Sequence, residues 1–242
     1  MSRWADREPT GRRPWRATAG PLTALTGILA GANLLAHRVV PGSYAAVSVV
    51  LVLALLAVVR WSGLTARELG LARGDAVRGL RWGAVAAVAV VAACGLVLAV
   101  PALRHLIQPG ADSWGDVAFR LLVAIPLRTV LPEELAFRGV LWALLRRAGG
   151  LWTATLISSV LFGLWHVLPA LSGGPANASL TGALGEGPVA ATARVVGTVL
   201  FTAVAGVLLC ALRAGSGSLL APAALHWAAN SSGAVLVKLV SG

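Results

Sequence analysis

The chain has 242 residues, of which 57% are hydrophobic and only 12% charged, whereas a soluble domain carries about 25% charged residues. This excludes a soluble globular enzyme and predicts an all-α, polytopic transmembrane helical bundle of about seven spans (six to eight), at ~20 residues per span. The net charge of +11 does not imply a nucleic-acid partner, because the arginines lie between apolar segments, where they serve as topogenic charges and contacts to anionic lipid.

In chain order, residues 1–18 are polar and Arg-rich and read as a basic cytoplasmic tail. The rest, 19–242, reads as one membrane domain with spans at about 20–37, 43–60, 79–101, 117–146, 150–168, 190–212 and 217–239. Gly27 and Gly31 form a GxxxG pattern in the first span, a weak signal for helix pairing. The basic, amphipathic segment 61–78 is expected to lie at the interface as a turn or short helix. Residues 169–189, rich in Gly, Pro, Ser and Asn, form the longest expected loop. Cys94 and Cys210 fall inside apolar spans and are expected to be free thiols. With the N-terminus inside, thirteen basic residues face the cytoplasm and five the other side, so the positive-inside rule predicts a cytoplasmic N-terminus. Nineteen arginines to one lysine suggest a GC-rich bacterial genome, and hence a bacterial plasma membrane.

The acids are the informative residues. From position 117 onward only Glu133, Glu134 and Glu186 are acidic. A charged side chain in a lipid-embedded helix costs kilocalories per mole, so it is retained where it has partners or a task. At ~1.5 Å of rise per residue, Glu133, His166, His226 and Asn230 fall at a similar depth on three different spans. Glu134 and Arg138 are four apart and can pair along one face. Glu133 points about 100° away from Glu134 and is left free. His226 and Asn230 also share a face. Pro132, just before the acids, either kinks a long helix or starts a new one. Taken singly, each histidine reads as a packing residue, Asn230 as interhelical glue, and Trp152 and Trp227 as interface or packing aromatics. His37 and His105 lie near span ends or in loops and are given no role. The joint occurrence of Glu133, His166, His226 and Asn230 is what suggests a site.

Three motifs organise these residues: EExxxR over 133–138 in PEELAFRG, FxxxH from Phe162 to His166, and HxxxN from His226 to Asn230. In order and spacing they resemble the CaaX-protease and bacteriocin-processing (CPBP, or Abi) family of intramembrane proteases, which includes the type 2 CaaX prenyl endopeptidases. The resemblance covers roughly 115–235. It implies peptide-bond hydrolysis within the membrane. Glu133 and His166 would activate water, His226 and Asn230 would stabilise the oxyanion, and Glu134 and Arg138 would brace the helix. The implied partners are a peptide or protein substrate and the lipid bilayer, with no nucleic acid. No cofactor is preferred; Zn²⁺ held by Glu133, His166 and His226 is the alternative, although the HExxH spacing of zinc proteases is absent. Two readings from other classes stand beside the protease: a proton-coupled transporter using Glu133 and His166 as a relay, and a non-catalytic immunity or scaffold protein.

Overall fold

A computed structural model describes residues 15–105, 107, 109–171, 185 and 187–241. Most of the predicted tail and residues 172–184 and 186 of the expected 169–189 loop lie outside the described residues, and the ends of that loop, 169–171 and 188–189, are helical. Among those described, the chain is helical with no strand. Helices occupy each of the seven predicted positions, and five helical stretches are long and apolar enough to cross a membrane.

α1 (Trp15–Leu34) runs into a wide π-type turn, Leu35–Val39. It begins five residues earlier than hydropathy suggests, because its first turn is the polar end of the helix. α2 (Tyr44–Ser62) stops at Gly63, which has φ of 60°. The interfacial segment folds as α3 (Ala66–Leu69), opened by a reciprocal cap between Thr65 and Glu68. α4 (Ala76–Ala99) follows, then α5 (Pro101–Arg104). A second capping box, Ser113 with Asp116, opens α6 (Trp114–Phe119).

From α6 the helix continues through the π-type stretch Arg120–Val130, α7 (Leu131–Glu134), a second π-type stretch Leu135–Leu141, and α8 (Trp142–Trp165). The run ends in α9 (Val167–Leu171). It doubles back at Gly150, where φ of 84° is open to glycine but strained for other residues. Past that turn, Ser158 Oγ donates to the Phe137 carbonyl at 2.9 Å. The rings of Phe162 and Trp165 meet Phe137 edge-on at 5.2 and 5.7 Å. The two predicted spans on either side of Gly150 are therefore the arms of a helical hairpin. α10 (Pro188–Ser216) starts on a proline, whose missing N–H costs nothing there. α11 (Leu220–Val240) completes the bundle.

With no water to expel between helices in lipid, packing depends on close approach of small residues. A Cβ on Gly163 of α8 would fall 2.7 Å from the Val199 carbonyl of α10. One turn away, Ser159 packs on Gly206 and lies 3.9 Å from the Cys210 thiol. The GxxxG pattern at Gly27 and Gly31 has nothing within 4 Å of either position; the pair that packs is Gly79 and Gly83 of α4, against Ser218 and Ala224. Leu25, Leu55, Phe137, Leu144 and Cys210 form the buried core.

The basic-loop end is tied by Arg147, whose guanidinium donates to Glu68 at 2.5 and 2.7 Å and to the carbonyls of Ser62 and Gly63 at 2.9 and 2.8 Å. Burial pushes the Glu68 carboxyl up, but hydrogen bonds from Arg147 and Thr65 outweigh it and hold it down at about 2.

Candidate active site

Glu133 and Glu134 stand in one turn of α-helix between two π-type stretches. Two prolines disturb the ladder there, since neither Pro126 nor Pro132 has an N–H to return to the preceding turn. Neighbouring helices supply donors to the carbonyls concerned. Ser48 Oγ of α2 donates at 2.9 Å to the carbonyl of Arg128, four residues before Pro132. Trp227 Nε1 of α11 donates at 2.8 Å to the carbonyl of Leu121, five residues before Pro126, which is the π-type spacing. The acid-bearing turn is thus held from both sides, and Trp227 is more than a packing aromatic.

Glu134 is 1% exposed and Arg138 0%. They form the expected pair, with Arg138 Nη1 donating to Glu134 Oε1 at 3.0 Å. Arg138 also lies over the Phe162 ring, its Cζ 3.9 Å from the centroid, a cation–π contact that adds to the attraction of Glu134 for the charge. The same Oε1 accepts from His226 Nδ1 at 2.8 Å. A carboxylate can only accept, so Nδ1 carries the hydrogen. Glu134 therefore orients an imidazole as well as bracing its own helix.

The other nitrogen of that ring, His226 Nε2, lies 3.8 Å from Glu133 Oε2. His226 sits between the two acids, which the expected divergence of their directions does not suggest. Glu133 Oε1 accepts from Trp165 Nε1 at 3.1 Å. Its Oε2 is buried and has no hydrogen-bond partner in the described structure.

His166 closes α8. Its Nδ1 lies 2.8 Å from the Phe162 carbonyl, which can only accept, so this nitrogen is the donor, and in the neutral ring Nε2 carries the lone pair. Phe162 touches both imidazoles edge-on, at 4.8 Å to His166 and 5.8 Å to His226. Asn230, one turn beyond His226, is exposed, and among the described residues no hydrogen bond joins it to the others. Glu133, Glu134, Arg138 and His226 are thus brought into one buried cluster, with His166 across Phe162 and Asn230 at its margin. Among the described residues no group of three or more His, Cys, Asp and Glu is placed as a metal-binding set.

Three neighbours were not found by sequence reasoning. Trp165 lies inside the FxxxH segment, but its indole contact follows only from the hairpin. Asn33 of α1 donates to the Trp165 carbonyl at 2.9 Å. His37, in the π-type turn that follows α1, packs edge-on to Tyr44 at 5.0 Å and lies within electrostatic range of Glu133 and His166. No spacing in the first span signals this; α1 packing against α8 brings it there.

Residues 114–232 match the sequence profile of the family described as type II CAAX prenyl endopeptidase Rce1-like. The match runs from the start of α6 into α11 and includes every residue of the three motifs. Neither a curated protein nor a solved structure matches the chain.

Proposed function

Because the chain belongs to the type II CAAX prenyl endopeptidase Rce1-like family, an integral-membrane CAAX-type protease family, we propose that it hydrolyses a peptide bond near the C-terminus or the membrane-proximal part of a small membrane-associated protein, using Glu133 as general base. The observation that carries this reading is the buried Oε2 of Glu133, which has no hydrogen-bond partner among the described residues and lies 3.8 Å from His226 Nε2.

The two histidines are poised for opposite tasks. His166 gives its Nδ1–H to a main-chain carbonyl and keeps a lone pair on Nε2, suited to accept a hydrogen bond from the attacking water. His226 gives its Nδ1–H to the Glu134 carboxylate, and in this mechanism its Nε2 serves as an N–H donor. With His226 protonated, Glu133, Glu134, Arg138 and His226 sum to zero charge, which suits a group removed from water.

Hydrolysis then proceeds without a metal. Water attacks the scissile carbonyl carbon as one of its protons passes to Glu133 Oε2. The oxyanion takes hydrogen bonds from His226 Nε2–H and the Asn230 amide. The C–N bond breaks as Glu133 returns that proton to the leaving nitrogen. Glu134 and Arg138 hold the frame. The N-terminus lies on the cytoplasmic side.

Purified protein in liposomes, offered a library of membrane-anchored peptides, tests this. Wild type should cut, Glu133→Gln should not, and chelator treatment should leave the rate unchanged. Turnover retained by Glu133→Gln sinks the assignment, and turnover abolished by chelation and restored by Zn²⁺ sinks the metal-free route.

A further inference from the structure

We propose that Trp165 is a positioning residue for Glu133, its indole N–H fixing Oε1 as a permanent acceptor so that Oε2 alone takes and returns the proton. The inference rests on the hydrolytic reading above and names a residue outside the acid, imidazole and amide set. Trp165 Nε1 is 3.1 Å from Glu133 Oε1. An indole nitrogen is a donor only, so it cannot exchange roles with the carboxylate or hand it a proton. A proton placed on Oε1 would face that N–H, whereas Oε2 meets no such donor and lies 3.8 Å from His226 Nε2. The two oxygens are thereby made unequal.

The indole is itself held. Asn33 Nδ2 donates to the Trp165 carbonyl at 2.9 Å, and Phe137 packs edge-on against the ring at 5.7 Å. Asn33 belongs to α1, outside the matched residues 114–232. The first span thus reaches the general base through one backbone carbonyl and one indole. An indole at this place could simply fill space and find a partner for its N–H, so shape and N–H must be separated.

Two variants at position 165 do this: Trp165→Phe, and incorporation of 3-benzothienylalanine, which keeps the bicyclic shape but carries sulfur in place of the N–H. With a cleavable peptide, both should lower kcat by about 10- to 100-fold, with KM and melting temperature close to wild type for the isostere. An isostere with wild-type kcat, or one that changes KM alone, overturns the proposal. If wild type cuts no peptide, the hydrolytic reading fails separately, and the contact is still decided by ¹⁵N-tryptophan NMR in micelles. The Trp165 indole resonance, assigned by its loss in Trp165→Phe, should move on Glu133→Gln; an unmoved resonance overturns the contact itself.

Discussion

His226 Nδ1 donates to Glu134 Oε1 across 2.8 Å, joining residues 92 apart in sequence. That oxygen already accepts from Arg138 at 3.0 Å. One buried carboxylate oxygen therefore ties α7, the π-type stretch after it and α11 together, so support and chemistry meet at Glu134.

Glu134→Gln should accordingly harm both. Leaving Arg138 buried without its acid costs about 3–5 kcal/mol, read as a lower melting temperature in detergent. The folded fraction should also turn over more slowly, because His226 loses its anchor. Adding Arg138→Met should recover stability but not rate. A Glu134→Gln protein that melts and cleaves like wild type would refute the shared role.

His226→Ala removes the donor proposed for the oxyanion. The expected loss is about 10²–10³-fold in kcat, with KM little changed, measured in single-turnover cleavage. A variant within tenfold of wild type would remove His226 from the mechanism.

Ser48→Ala leaves the Arg128 carbonyl, opposite Pro132, without its donor. A partly buried acceptor that loses its hydrogen bond costs about 1 kcal/mol, so the melting temperature should fall, and Ser48→Thr should restore it. No change in Ser48→Ala would show that the carbonyl finds another partner.

Gly163→Ala places a Cβ 2.7 Å from the Val199 carbonyl and 2.9 Å from the Ala203 methyl. Backbone cannot retreat as a flexible side chain can, so overpacking should cost about 1–3 kcal/mol. Gly27→Ala, with nothing within 4 Å, should be neutral. Equal melting of the two variants would contradict this packing.

Glu68 supplies a pH dependence. Its carboxyl titrates at about 2 in the folded chain against an ordinary 4.5. A depressed acid stabilises the fold fully above its unfolded value and loses that contribution as pH falls from 4.5 toward about 2. Melting followed from pH 6 down to about pH 2 should show this decline. Glu68→Gln should flatten that part of the curve; an unchanged slope would place the acid sensitivity elsewhere.

Much of the fold was legible from hydropathy, because lipid forces long apolar helices to satisfy their own backbones. The two arms of the hairpin were legible as separate apolar runs, 117–146 and 150–168, while the turn at Gly150 that joins them was not. The pairing of Glu134 with Arg138 was legible because helical spacing brings i and i+4 together. Less local relations were not. The choice of Gly79 and Gly83 over Gly27 and Gly31 depends on which helix arrives opposite, and both pairs have the same spacing. His37 looked like a residue at a span end, and only α1 lying against α8 brings it near Glu133.

The residue types fixed the class of molecule and named the candidate site: apolar runs too long for a soluble core, and an acid pair with two histidines and an amide expected at a common depth. That follows from periodicity and the cost of charge in lipid, which are local properties of the chain. The partner of each nitrogen and oxygen was decided by helix packing. Glu133 is held by Trp165, Glu134 by both Arg138 and His226, and the proline-broken ladder by Ser48 and Trp227. Hydrogen bonds are directional and short, so they are set by tertiary approach to within an ångström, which spacing along one helix does not encode.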